Sequence, residues 1–172
     1  MNRLPFVSVT EIDRNINNYF VSRDNPWLRA ALGALTYLGT GALWLAIYAL
    51  FLIFFRDHFT QLIYILVLAE ATALPVVVVL RYMTKRERPA ISHNYFFLAP
   101  WNRYSFPSHH ALRAFIVLVV VGKAFPAFLP ILIVMALIVG FSRLYLAKHY
   151  LSDVLVGALL GIILALVSQK FI

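Results

Sequence analysis

Residues 30–55 read AALGALTYLGTGALWLAIYALFLIFF, an uncharged run bounded by Arg29 and Arg56. It exceeds the ~20 residues a helix needs to cross a hydrocarbon core, so it predicts a first membrane span. The composition agrees: 62% of the 172 residues are hydrophobic and 13% charged, and the mean hydropathy is +0.83, well above what a soluble, roughly half-apolar domain shows. A chain of this length holds one domain, residues 1–172, whose core is built among spanning helices rather than around a water-soluble centre. The sequence contains no cysteine, which excludes disulfides, haem thiolates and cysteine-ligated metal.

Four further spans are expected. Gln61 to Leu80 is ended by Arg81 and carries Glu70 near its middle. The third starts at Ser108 and runs through Ala111 to Val121, interrupted by Arg113 and closed by Gly122 and Lys123. After a turn marked by Pro126 and Pro130, Ile131 to Phe141 begins the fourth, which is expected to continue to about Lys148. Val154 to Val167 is the fifth; with His149 to Asp153 as its first turn it reaches about 19 residues. The expected fold class is all-α, an integral membrane helical bundle of about five transmembrane helices. Ahead of it, Val9, Ile12, Ile16, Tyr19 and Phe20 recur at helical spacing with Asp13, Arg14, Asn15, Asn17 and Asn18 between them. Ser8 and Glu11 fit a capping box that starts this helix. Too polar to span, it predicts an amphipathic interfacial helix within residues 1–29, the entry to a bundle of residues 30–172. Residues 1–29 contain no unbroken apolar run, so no cleavable signal peptide is expected and the first span directs insertion.

Five spans place the amino terminus, the 81–110 loop and the 142–153 turn on one membrane face, where their polar residues can meet. Arg81, Arg88 and Arg143 stand at the ends of apolar segments, and guanidinium forks match phosphate oxygens in bidentate fashion. Snorkelling to the interface is the alternative for any one of them. Ser108 opens the third helix, where a serine cap and free backbone N–H groups favour an anion. His110 can protonate a leaving oxygen. His149 and Asp153 are four apart at the expected start of the fifth helix and so share a face; a carboxylate bonded to one ring nitrogen leaves the other free as a nucleophile. By itself this pair also fits a loop histidine beside a capping aspartate.

Arg81 through Pro89, then Pro107-Ser108-His109-His110, then Ser142-Arg143 to His149 and Asp153 resemble, in order and spacing, the three-part signature of the type 2 phosphatidic acid phosphatase superfamily. The resemblance implies an all-α membrane fold and removal of phosphate from lipid phosphates or pyrophosphates without metal or other cofactor. It implies His149 as the nucleophile of a phosphohistidine intermediate, Asp153 as its orienter and His110 as general acid. Arg81, Arg88, Ser108 and Arg143 would hold the phosphate. Two positions depart from the pattern: Arg81 stands where lysine is usual, and His109 where glycine is usual. Lys85 and His109 are further candidates, and Lys85, Arg86 and Arg103 can widen a basic rim that draws anionic headgroups or simply anchor the loop. Glu70 is expected to play a structural polar role inside the bundle, and Tyr95, Phe96, Phe97 and Trp101 to pack the loop onto the interface.

Twelve of the 15 lysines and arginines, all but Arg56, Lys123 and Lys170, fall on the motif-bearing face, which by the positive-inside rule is cytoplasmic. Resemblance to bacterial family members implies instead an inner-membrane enzyme with a periplasmic site, the orientation expected here. The net charge of +8 suits an anionic lipid surface, and nothing resembles a nucleic-acid module. The partners implied are a lipid phosphate substrate and membrane lipids, with no obligate protein partner inferred. Small bacterial enzymes of similar build act on undecaprenyl pyrophosphate, phosphatidylglycerol phosphate or the 1-phosphate of lipid A. The rival readings are a vanadate-dependent haloperoxidase-like enzyme and a non-catalytic protein that binds or transports lipid phosphate.

Overall fold

The computed structural model describes residues 8–89 and 100–171. Among them are seven α-helices and no β-strand: α1 (Val9–Ser22), α2 (Pro26–Leu35), α3 (Gly41–Phe54), α4 (Arg56–Thr84), α5 (His109–Ala124), α6 (Leu129–Tyr145) and α7 (Leu151–Ser168). By length and apolar character Phe59–Thr84, Pro126–Tyr145 and Leu151–Ser168 can each cross a membrane, and Pro26–Gly39 with Gly41–Phe54 adds a fourth if the two form one span. The outward stripes of α6 (Ile131, Val134, Leu137) and α7 (Leu155, Leu159, Ile163, Leu166) are exposed and wholly apolar. Hydrocarbon accepts such a surface; water does not.

Two expected spans differ from their sequence reading. The run 30–55 is not one straight helix: it bends by 50° between α2 and α3, where Thr40 is extended (φ −84°, ψ 141°) between two glycines, poor helix formers. Backbone opened within a membrane must find new partners. Here the Gly39 carbonyl accepts Arg113 Nη1 at 3.1 Å and the Leu38 carbonyl accepts Trp44 Nε1 at 2.7 Å. The third expected span, α5, has 16 residues, about 24 Å at ~1.5 Å per residue, against a hydrocarbon core of ~30 Å. It is the central helix, packed on α7, α6 and α4, and a helix sheathed by others needs no apolar outer face. Its Arg113 Nε donates to Glu70 Oε2 of α4 at 2.8 Å, and Tyr48 of α3 donates to Glu70 Oε1 at 3.0 Å. Glu70 thus ties three helices together, the structural role its mid-span position suggested.

Helix α5 lies against α7 at Gly157 and Gly161, where an added Cβ would come 2.4 Å from the Ser108 carbonyl oxygen and 2.3 Å from that of Leu112. Small residues spaced four apart let two backbones approach this closely. Helix α1 is capped by Ser8, whose Oγ accepts the Glu11 N–H at 3.3 Å. It seats Phe20 edge-on against Phe141, ring centres 5.5 Å apart, while Val9, Ile12 and Tyr19 remain exposed. Of the loop aromatics, Tyr95, Phe96 and Phe97 lie outside the described residues.

Candidate active site

The ends of α4, α5 and α6 on one side of the bundle, with the loops that follow α4 and α6 and the α2–α3 bend, line a cavity of about 510 Å³ that includes Arg81, Arg88, His109, His110, Arg143 and His149 among others. Each guanidinium is aimed by bonds to fixed groups. Arg81, buried near the end of α4, donates from Nη1 to Asn102 Oδ1 at 2.8 Å and from Nη2 to the Pro107 carbonyl at 3.4 Å. Arg88 donates from Nε to the Asn102 carbonyl at 2.9 Å and from Nη1 to that of Lys148 at 2.8 Å. Arg143 donates from Nη1 to Thr36 Oγ1 at 2.9 Å, and the same oxygen accepts from Ser142 Oγ at 3.0 Å. Three cations facing one space demand an anion there.

His149 is not in the first turn of the last helix. Helix α6 stops at Tyr145 rather than near Lys148, α7 starts at Leu151, and His149 sits in the turn between them. Burial, then the charges of Arg88, Arg143 and Arg81, push its pKa well below the ordinary imidazole value, so the ring is neutral. Its Nε2 lies 3.1 Å from Arg88 Nη1; a nitrogen that accepts from a guanidinium carries a lone pair, which leaves the ring proton on Nδ1. Nδ1 faces Asp153 Oδ2 at 3.6 Å, too long for the hydrogen bond expected from sequence. The reason is that Asp153 is already engaged: Oδ2 accepts the Tyr150 N–H at 2.9 Å in a capping box at the start of α7, and Oδ1 accepts Arg86 Nη1 at 2.8 Å.

Ser108 occupies the N-cap of α5 without capping it through its side chain. Its backbone N–H donates to the Asp153 carbonyl at 3.0 Å, while its Oγ is buried with no hydrogen-bond partner among the described residues. His109 Nε2 is in the same condition, so His109, like His110, belongs to the cavity wall. Lys85 does not: it ends α4 in the left-handed conformation, φ 45°, and is exposed outside the cavity lining. Thr36, Asn102 and Lys148, which also line the cavity, were missed by the sequence reading. Lys148 lines the cavity, and burial followed by the charges of Arg143 and Arg88 lowers its pKa to about 8. Its place one residue before His149 was the available signal. Among the described residues no group of three or more His, Asp or Glu side chains is placed to hold a metal.

A family model described as the PAP2 superfamily matches residues 58–172. Phosphatidylglycerophosphatase B of Bacillus subtilis (strain 168) is 29% identical over 178 aligned positions, which cover 95% of this chain and 85% of that protein. Among solved structures, Aquifex aeolicus LpxE superposes with a TM-score of 0.75 at 29% identity, covering 99% of both chains. A transmembrane PAP2-type phosphatidylglycerolphosphate phosphatase from Bacillus subtilis superposes with a TM-score of 0.77 at 27% identity, covering 95% of this chain and 85% of that one.

Proposed function

The chain belongs to the PAP2 superfamily and is an integral-membrane lipid phosphate hydrolase; from that premise we propose that its reaction passes through a phosphohistidine at His149. The observation that carries this reading is the lone pair on His149 Nε2, held 3.1 Å from Arg88 in a cavity that Arg81 and Arg143 also line. Nε2 attacks phosphorus, the N–P bond forms and the bond to the lipid oxygen breaks. His110 gives that oxygen its proton, and the negative charge of the phosphate lets His110 hold a proton among the arginines. Water then attacks phosphorus and returns a proton to His110, the N–P bond breaks, and inorganic phosphate leaves. Arg81, Arg88, Arg143 and the unpartnered Ser108 hydroxyl hold the phosphate oxygens in both steps, while Asp153 faces the far ring nitrogen.

Phosphatidylglycerol phosphate is the first substrate to assay, since the Bacillus subtilis match is named for it both as a protein and as a solved structure; undecaprenyl pyrophosphate and lipid A 1-phosphate complete the panel. Phosphate release from at least one of them in detergent is expected to persist in EDTA. Loss of release with EDTA would overturn the metal-independent reading, and binding without release from any lipid would favour a binding or transport role.

We also place the site on the periplasmic side of a bacterial inner membrane. The excess of cations on this face is weaker evidence of a cytoplasmic face than the sequence count implies. Arg81, Arg113 and Arg143 are buried and Arg86 is half-buried and ion-paired, so they serve the interior rather than a loop. A single cysteine at exposed Lys85, in this cysteine-free chain, should react with a membrane-impermeant maleimide on intact spheroplasts; protection until lysis would reverse the orientation.

Lys148 gives the site a pH dependence. Its lowered pKa of about 8 means that it is charged below pH 8 and neutral above, while the guanidinium groups stay charged. The KM for a lipid phosphate is therefore expected to rise several-fold (about two- to fivefold) from pH 7 to 9, and in Lys148→Gln to be raised already at pH 7 and flat across that range.

A further inference from the structure

Asp13 lies in α1, a helix whose sequence reads as a surface anchor, yet its carboxylate is buried. Oδ1 accepts the backbone N–H of Ser152, in the first turn of α7, at 3.0 Å. Oδ2 accepts Arg86 Nη2 at 2.6 Å and the Ser152 hydroxyl. The other terminal nitrogen of Arg86 donates to Asp153 Oδ1 at 2.8 Å, and the guanidinium carbon stands 4.3 Å from the centre of the Tyr150 ring. One guanidinium thus bridges two buried carboxylates, one from α1 and one beside His149. A narrow cleft lined by Asp13, Asn17, Leu144 and His149 shows that α1 packs directly behind the His149 turn.

We propose that Asp13 is a positioning residue for hydrolysis, acting through Arg86 to fix Asp153 on the Nδ1 side of His149; the proposal rests on His149 being the nucleophile. Held by Asp13 on its far side, the guanidinium of Arg86 keeps Asp153 Oδ1 engaged and Oδ2 facing Nδ1. Without Asp13, Arg86 loses one of its two carboxylate anchors, and Asp153 its fixed place beside the ring that accepts the phosphoryl group. Helix α1 is on this reading part of the catalytic apparatus, delivered to it from the membrane surface.

Asp13→Asn removes the charge and retains an oxygen for the Ser152 N–H. In the full chain, kcat for lipid phosphate hydrolysis is expected to fall at least about tenfold with KM within about twofold, and the double variant with Arg86→Gln to be no slower than Arg86→Gln alone. An unchanged kcat, a loss confined to KM, or losses that multiply in the double variant would overturn the proposal. Should Asp13→Asn aggregate, Arg86→Gln alone decides, the same fall in kcat supporting the proposal and a wild-type kcat overturning it. His149→Ala run in parallel separates the two levels. Activity retained there removes the nucleophile reading itself, whereas an inactive His149→Ala beside a fully active Asp13→Asn removes only the role of Asp13.

Discussion

His149→Ala is expected to lower phosphate release by at least about a thousandfold while the protein stays folded. The size of the effect follows from the geometry. The phosphate-holding groups, Arg81, Arg88 and Arg143, are fixed by Asn102, Pro107, Lys148 and Thr36, so the variant keeps its anion cradle and loses the attacking lone pair. Binding of a lipid phosphate should therefore survive within a few-fold. Brief incubation of wild-type enzyme with labelled substrate, quenched in alkali, should trap a protein-bound phosphate that is stable to base and released by acid, as a phosphoramidate is. The variant should show none. Label that persists in His149→Ala, or turnover within tenfold of wild type, would remove the covalent mechanism.

Gly161→Ala is expected to cost stability on a scale unusual for so small a change. The new Cβ would sit 2.3 Å from the Leu112 carbonyl oxygen, a backbone atom that no side-chain rotation can move. Helices α5 and α7 must separate, at a cost of about 1–3 kcal/mol as for other overpacked sites. The apparent melting temperature in detergent should drop by at least about 5 °C. Activity should fall with it, because Ser108 is the N-cap of α5, His110 lies in its first turn and Asp153 in the first turn of α7. Gly33→Ala in α2 is the matched control, with nothing within 4 Å of its added methyl; equal melting temperatures for the two variants would show that the close approach is not needed.

Much of this was legible in the amino-acid string because lipid and phosphate each impose a plain chemical demand. An uncharged run such as 30–55 has few homes outside a bilayer, and arginines recurring with Ser108, His110 and His149 at the ends of apolar segments ask for an anion. What escaped depended on contacts between distant parts. Asp13 looks like any polar residue of an amphipathic helix until α1 is laid against α7. The bend at Thr40 has no proline to announce it and is held open by Arg113, 73 positions later in the sequence. The expected hydrogen bond from His149 to Asp153 assumed a continuous helix; the turn before α7 gives Asp153 other partners. Lys85 lies within the first motif by number, yet the end of α4 leaves it exposed.

The Glu70–Arg113 pair has a consequence for biosynthesis. An arginine on a lone helix entering the bilayer costs about 3 kcal/mol on insertion scales, and the 16 residues of α5 fall short of the ~20 that cross the hydrocarbon core. Its counter-ion arrives earlier in the nascent chain, on α4. Helix α5 is therefore expected to enter the membrane after α4, where Glu70 is already in place to meet Arg113.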